Sequence, residues 1–223
     1  MKFQNNLKIL QFNCREENGI DLRQANAVLR HKPDTIIYEA PSDKSKAYLF
    51  FDPKESIKKQ EKRLKELNVS LRKIAKKYPW VLSDIKTIEN VIELSKTGHK
   101  IKIYYVDAPR ELLRETIINK WNLIDKPRQR GVHLLWWVYI YLREKIMSQN
   151  IEPLLKNKNQ SVLIFIQKFH WLNIKFLLSK PTKDEIWEYY FCKFKNVNKK
   201  NISETIKLKN KVLYKYWNEI SDF

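Results

Sequence analysis

Glu39, Asp107 and His170 are the residues whose placement most suggests chemistry, because each stands at the end of an apolar run. Glu39 closes Asp34-Thr35-Ile36-Ile37-Tyr38, Asp107 closes Ile101-Lys102-Ile103-Tyr104-Tyr105-Val106, and His170 follows Val162-Leu163-Ile164-Phe165-Ile166. Short runs of this kind, rich in β-branched residues, predict buried strands. Open α/β sheets place their ligand sites at the carboxyl ends of such strands. Two carboxylates and an imidazole at three strand ends could therefore converge on one rim, which is the main argument for a site. Each residue also has a structural reading. A single histidine is more often a satisfied fold residue, Glu39 can be neutralised by a cation or a helix N-terminus, and Asp107 can cap the turn before Pro109.

Other constellations are thinner. Cys14 and His170 both follow predicted strands and could form a nucleophile–base pair, although buried inert cysteine is the commoner case. The four histidines offer no i, i+4 pair, so no helix-borne zinc motif exists. Three glycines cannot build a phosphate-cradling loop. Cys14 and Cys192 are the only cysteines and are far apart, which points to a reducing cytoplasm rather than a disulfide scaffold.

The elements that would position these groups alternate. A first strand is expected at Leu7–Phe12, then a helix from an Asp21 N-cap to His31 with Leu22, Ala25, Val28 and Leu29 on one face. Pro33 ends that helix ahead of the strand 34–39. Ile57, Leu64, Leu71 and Tyr78 recur every seven residues, with Leu67 and Ile74 between them, which predicts an amphipathic helix closed by Pro79. A helix over 83–96 should end at Gly98. The third strand is 101–106, Pro109 opens a helix to about Ile118, and a long helix runs from Val132 to Gln149. The fourth strand, 162–166, leads to a short helix with Leu172, Ile174, Leu177 and Leu178 inward. Beyond Pro181 an aromatic run, Trp187 to Phe191, has room for an extra strand. A last helix from Ser203 turns Ile206, Val212, Leu213, Trp217 and Ile220 inward. This order predicts an α/β fold: a mostly parallel sheet flanked by helices over residues 1–180, with a basic helical C-terminal extension over 181–223 packed on it.

At 223 residues and 43% hydrophobic, the chain can bury a full core. No window approaches the roughly 18 apolar residues of a membrane span, and Lys2, Asn5, Asn6 and Lys8 break up any opening signal segment. The net charge of +19 is concentrated: residues 54–77 and 193–215 each contribute +7. Such segments could attract RNA, DNA or anionic lipid. They could equally be solvated helix faces of an AT-rich coding sequence, since Lys, Ile and Asn are abundant.

Four segments in order carry a resemblance: His31-Lys32-Pro33-Asp34-Thr35-Ile36-Ile37-Tyr38-Glu39, Val106-Asp107-Ala108-Pro109, the helix from Arg143 through Met147 to Ile151, and Gln167-Lys168-Phe169-His170. Their order over residues 7 to 178 resembles the TraB/GumN-like family, related to the Tiki and erythromycin-esterase/ChaN-like hydrolases. The resemblance implies a metal-dependent hydrolase of peptide or small amide or ester substrates. Glu39 and His170 would be its catalytic residues and the ligands of a divalent metal, with Asp107 and Arg143 binding substrate. Two departures bear on this. Phe12-Asn13-Cys14-Arg15 stands where the family carries its first Gly-x-x-His, and Gln167 replaces the glycine of the closing motif. Arg15 would then supply the charge of the missing ligand by pairing with Glu39. The chain therefore reads as a divergent, degraded hydrolase or a non-catalytic regulator. The alternative is a nucleic-acid-binding or assembly protein using helices 54–77 and 193–215.

Overall fold

The computed structural model describes residues 7–12, 22–43, 55–75, 80–113, 130–156, 159–194 and 197–223. The chain divides into two compact units, one of residues 2–105 and 154–171, the other of residues 106–153 and 172–223.

The first unit holds the sheet. Its elements are β1 (Leu7–Phe12), α1 (Arg23–His31), β2 (Thr35–Pro41), α2 (Ile57–Ala75), α3 (Trp80–Lys96) and β4 (Val162–Gln167), with β3 (Lys102–Asp107) running to its boundary. All four strands form one sheet in the order β1-β4-β2-β3. The last strand in the chain is therefore an inner one, parallel to β1 on one side and to β2 on the other. That placement explains its composition. A strand with a neighbour on each edge and helices over the sheet has no wet face, and Val162 through Ile166 are all buried. Asp34 fixes the entrance to the sheet, its carboxylate accepting from the Ser161 N–H at 2.8 Å.

Helices α1, α2 and α3 close over this sheet through Ala27, Val28, Leu64, Ile85, Ile88, Val91 and Ile92, against Ile36, Tyr38, Leu163 and Phe165. Helix α1 has no side-chain cap at Leu22, and the expected cap, Asp21, lies outside the described residues. Leu22 and Leu29, expected inward, are exposed, because the buried stripe runs through Gln24, Ala25, Ala27 and Val28. Lys32 ends α1 in the left-handed region at φ 40, and Pro33, which has no backbone N–H to donate, cannot continue the helix. Gly98 follows α3 at φ 87, a conformation that a side chain would strain. Tyr38 and Asn90 bring polar groups into this core, and both are bonded. The Tyr38 hydroxyl donates to Asp84, and the Asn90 side chain donates to the Ala25 carbonyl at 2.9 Å.

The second unit is helical: α4 (Arg130–Ile151), a 3-10 turn (Glu152–Leu155), α6 (Lys183–Phe191), α7 (Lys199–Lys209) and α8 (Lys211–Ile220), with most of α5 (Lys168–Leu178). Helix α4 is its axis, and residues 134, 135, 138–142 and 147 are all buried apolar positions. A helix apolar around its circumference must be covered on all sides. Tyr141 meets Tyr190, Phe191 and Trp217 edge-on, at ring-centroid distances of 5.1, 5.8 and 6.1 Å. The aromatic run at 187–191 is thus helical rather than a strand. Thr182 and Glu185 start α6 with a reciprocal capping box. The expected single helix from Ser203 is two helices. Asn210 separates them, its backbone N–H closing on Ile206 while its side chain caps Leu213.

Candidate active site

Glu39 and His170 come together at the carboxyl end of the sheet. The register pairs Tyr38 of β2 with Phe165 of β4, so Glu39 lies one step beyond, beside the end of the central strand. Helix α5 begins immediately after β4, which puts His170 in its first turn rather than in a loop ahead of it. The imidazole Nε2 is 3.9 Å from Glu39 Oε1, and the two side chains are only 3% and 4% exposed. Glu39 Oε2 accepts from the Gln167 backbone N–H at 2.6 Å. That bond fixes the carboxylate at the N-terminus of α5, where the helix dipole favours negative charge. The Phe169 ring packs edge-on against the imidazole at 5.4 Å, and Phe169 itself is half exposed.

Glu39 and His170 are two of the donors that a divalent ion needs. A catalytic site of this type takes about three protein ligands, and among the described residues no group of three or more His, Cys, Asp or Glu is placed to hold one. The described residues therefore do not complete a metal centre. Cys14 and Arg15, including the expected Arg15–Glu39 pair, lie outside the described residues.

Asp107 and Arg143, the expected substrate-binding residues, are brought together with each other. Arg143 donates from Nε to Oδ1 at 2.7 Å and from Nη2 to Oδ2 at 2.6 Å. Asp107 Oδ1 also accepts the Ala108 N–H at 2.7 Å. The aspartate is 4% and the arginine 16% exposed. A fork-to-fork pair of this kind satisfies both groups and ties the end of β3 to α4. Asn150 adds a second tie, donating to the Val106 carbonyl at 3.0 Å.

Glu144 stands between Arg143 and Lys145 in sequence, where a run of alternating charges would ordinarily face solvent. It is wholly buried. Its Oε1 accepts from Asn173 Nδ2 at 2.7 Å and its Oε2 from the Tyr190 hydroxyl at 2.8 Å, while the Tyr189 hydroxyl donates to Asn173 Oδ1 at 2.7 Å. Burial and the neighbouring Glu144 carboxylate push the Tyr190 phenol well above its ordinary value. The available signal was helix α4 itself: a helix apolar all round has no wet face on which to carry a glutamate.

Among the described residues, both basic segments carry exposed lysines. Lys58, Lys59, Lys62 and Lys65 project from α2 opposite Gln60 and Leu64. Glu55 takes up Lys59 and Arg63, and Glu61 takes up Lys96 at 2.6 Å, which offsets part of that charge. Compared with known proteins, the chain matches no family model, no curated protein and no solved structure.

Proposed function

We propose that the chain is a divergent TraB/GumN-like hydrolase that cleaves a peptide or another small amide or ester through Glu39 and His170. The observation that carries this reading is the buried carboxylate–imidazole pair at the ends of two adjacent parallel strands. His170 takes a proton from water as the water oxygen bonds to the substrate's carbonyl carbon. The imidazolium then returns that proton to the leaving nitrogen or oxygen as the acyl bond breaks. Glu39 faces the ring and stabilises its charged form, and Gln167 N–H holds the carboxylate in place for this. The substituted first Gly-x-x-His segment supports slow turnover. Two distant cysteines support a reducing cytoplasmic setting.

The test is hydrolysis of a panel of aminoacyl p-nitroanilides and p-nitrophenyl esters by the parent protein and by His170→Ala. Loss of general-base help should lower turnover by about 10²–10⁴-fold. Equal rates in the two proteins would contradict the reading.

A further inference from the structure

The junction of α7 and α8 carries a surface that the site at the sheet rim does not use. Ile202 and Ile206 turn one face of α7 into the core, and Leu213, Tyr216 and Trp217 do the same for α8. The opposite face of α7 presents Lys200, Lys207 and Leu208, and Lys209 and Lys211 flank the break at Asn210. All four lysines are exposed, and among the described residues none has a carboxylate partner. Lys215 does have one, Glu111 at 3.3 Å. Glu204 is the single acidic residue between 193 and 215. Leu208 is 86% exposed, against 52% for Leu172, the next most exposed large apolar residue among the described residues.

We infer that this junction is a peripheral contact for an anionic membrane surface, with Leu208 entering the headgroup layer between lysines that meet lipid phosphates and carboxylates. Charge alone would suit any polyanion. Leu208 decides between them. A leucine projecting from the middle of a basic tip has nothing to bury against on a nucleic-acid backbone, whereas the boundary between headgroups and acyl chains accepts it. The nearby aromatic groups point the same way: Tyr216 and Trp217 are buried, and Tyr214 is partly covered with the Lys207 ammonium 5.9 Å from its ring, so no open stacking platform accompanies the lysines. No helix among the described residues is long and apolar enough to cross a bilayer, so the contact rests on the surface.

The experiment is co-sedimentation of the full chain with vesicles of equimolar phosphatidylserine and phosphatidylcholine, with phosphatidylcholine vesicles alone and a DNA duplex as the comparisons. Binding should require phosphatidylserine. Leu208→Ser, at a site too exposed to disturb the fold, should weaken it about tenfold. The combined Lys207→Glu, Lys209→Glu and Lys211→Glu variant should weaken it by about a hundredfold or more, with circular dichroism unchanged. Three results would each overturn the inference: equal sedimentation with phosphatidylcholine alone, vesicle binding unaltered in Leu208→Ser, or DNA binding at least as tight as vesicle binding and indifferent to that substitution.

Discussion

Glu39 and Glu144 both have buried side chains, and they are treated differently. Glu144 is held by uncharged donors: the Asn173 amide and the Tyr190 phenol, with Tyr189 fixing the amide from outside. Glu39 accepts from a backbone N–H and faces an imidazole. Amides and phenols do not change charge near neutral pH, so the two bonds to Glu144 hold geometry. An imidazole gains and loses its proton in that range, so the Glu39 pair can take part in proton transfer. The same carboxylate chemistry therefore serves packing in the helical unit and, in the proposed function, reactivity at the sheet rim. Its partners decide which.

The sharpest way to break the comparison is to remove Glu144. Glu144→Ala leaves two buried donors facing a cavity and should lower unfolding free energy by about 3–5 kcal/mol, measured by urea denaturation. Catalytic parameters of the folded fraction should not change. A loss below about 1 kcal/mol would mean that the cluster is not the structural member of the pair. Tyr190→Phe keeps the ring and removes one charge-assisted bond, and should cost about 1.5–3 kcal/mol.

Alkaline titration probes the same cluster more gently. Burial pushes the Tyr141 and Tyr190 phenols above the ordinary value of 10.0. The folded state then retains protons that the unfolded state gives up. This stabilisation is fully present below pH 10 and falls as pH rises above it. Ultraviolet difference spectra should show these two phenols ionising only together with unfolding. Ionisation of every tyrosine near pH 10 in a folded protein would contradict the burial described here.

Most of the fold was legible because its signals are local. Apolar runs of strand length gave all four strands, and Pro33 and Gly98 marked the helix ends where the backbone in fact changes course. The arrangement of the strands was less legible, since nothing local states that the last strand inserts between the first two. The convergence of Glu39 and His170 follows from that insertion: β4 beside β2 places residue 170 next to residue 39. The segment 187–191 was ambiguous because a short aromatic run suits a strand or a helix. The Thr182–Glu185 capping box resolves it, and that box is present in the sequence. Glu144 was missed for a different reason. Alternate charges in Arg143-Glu144-Lys145 read as a wet face, and only the covered circumference of α4 shows that the middle one is buried.

The central claim is that Glu39 and His170 act as one unit, and a double-mutant cycle on hydrolysis measures that directly. Glu39→Gln keeps an oxygen for the Gln167 N–H, so its unfolding free energy should fall by no more than about 1 kcal/mol while its turnover collapses. Residues that act together are non-additive, so the Glu39→Gln/His170→Ala double variant should be no slower than His170→Ala alone. Turnover in Glu39→Gln equal to that of the parent protein, or losses that simply multiply in the double variant, would contradict the account.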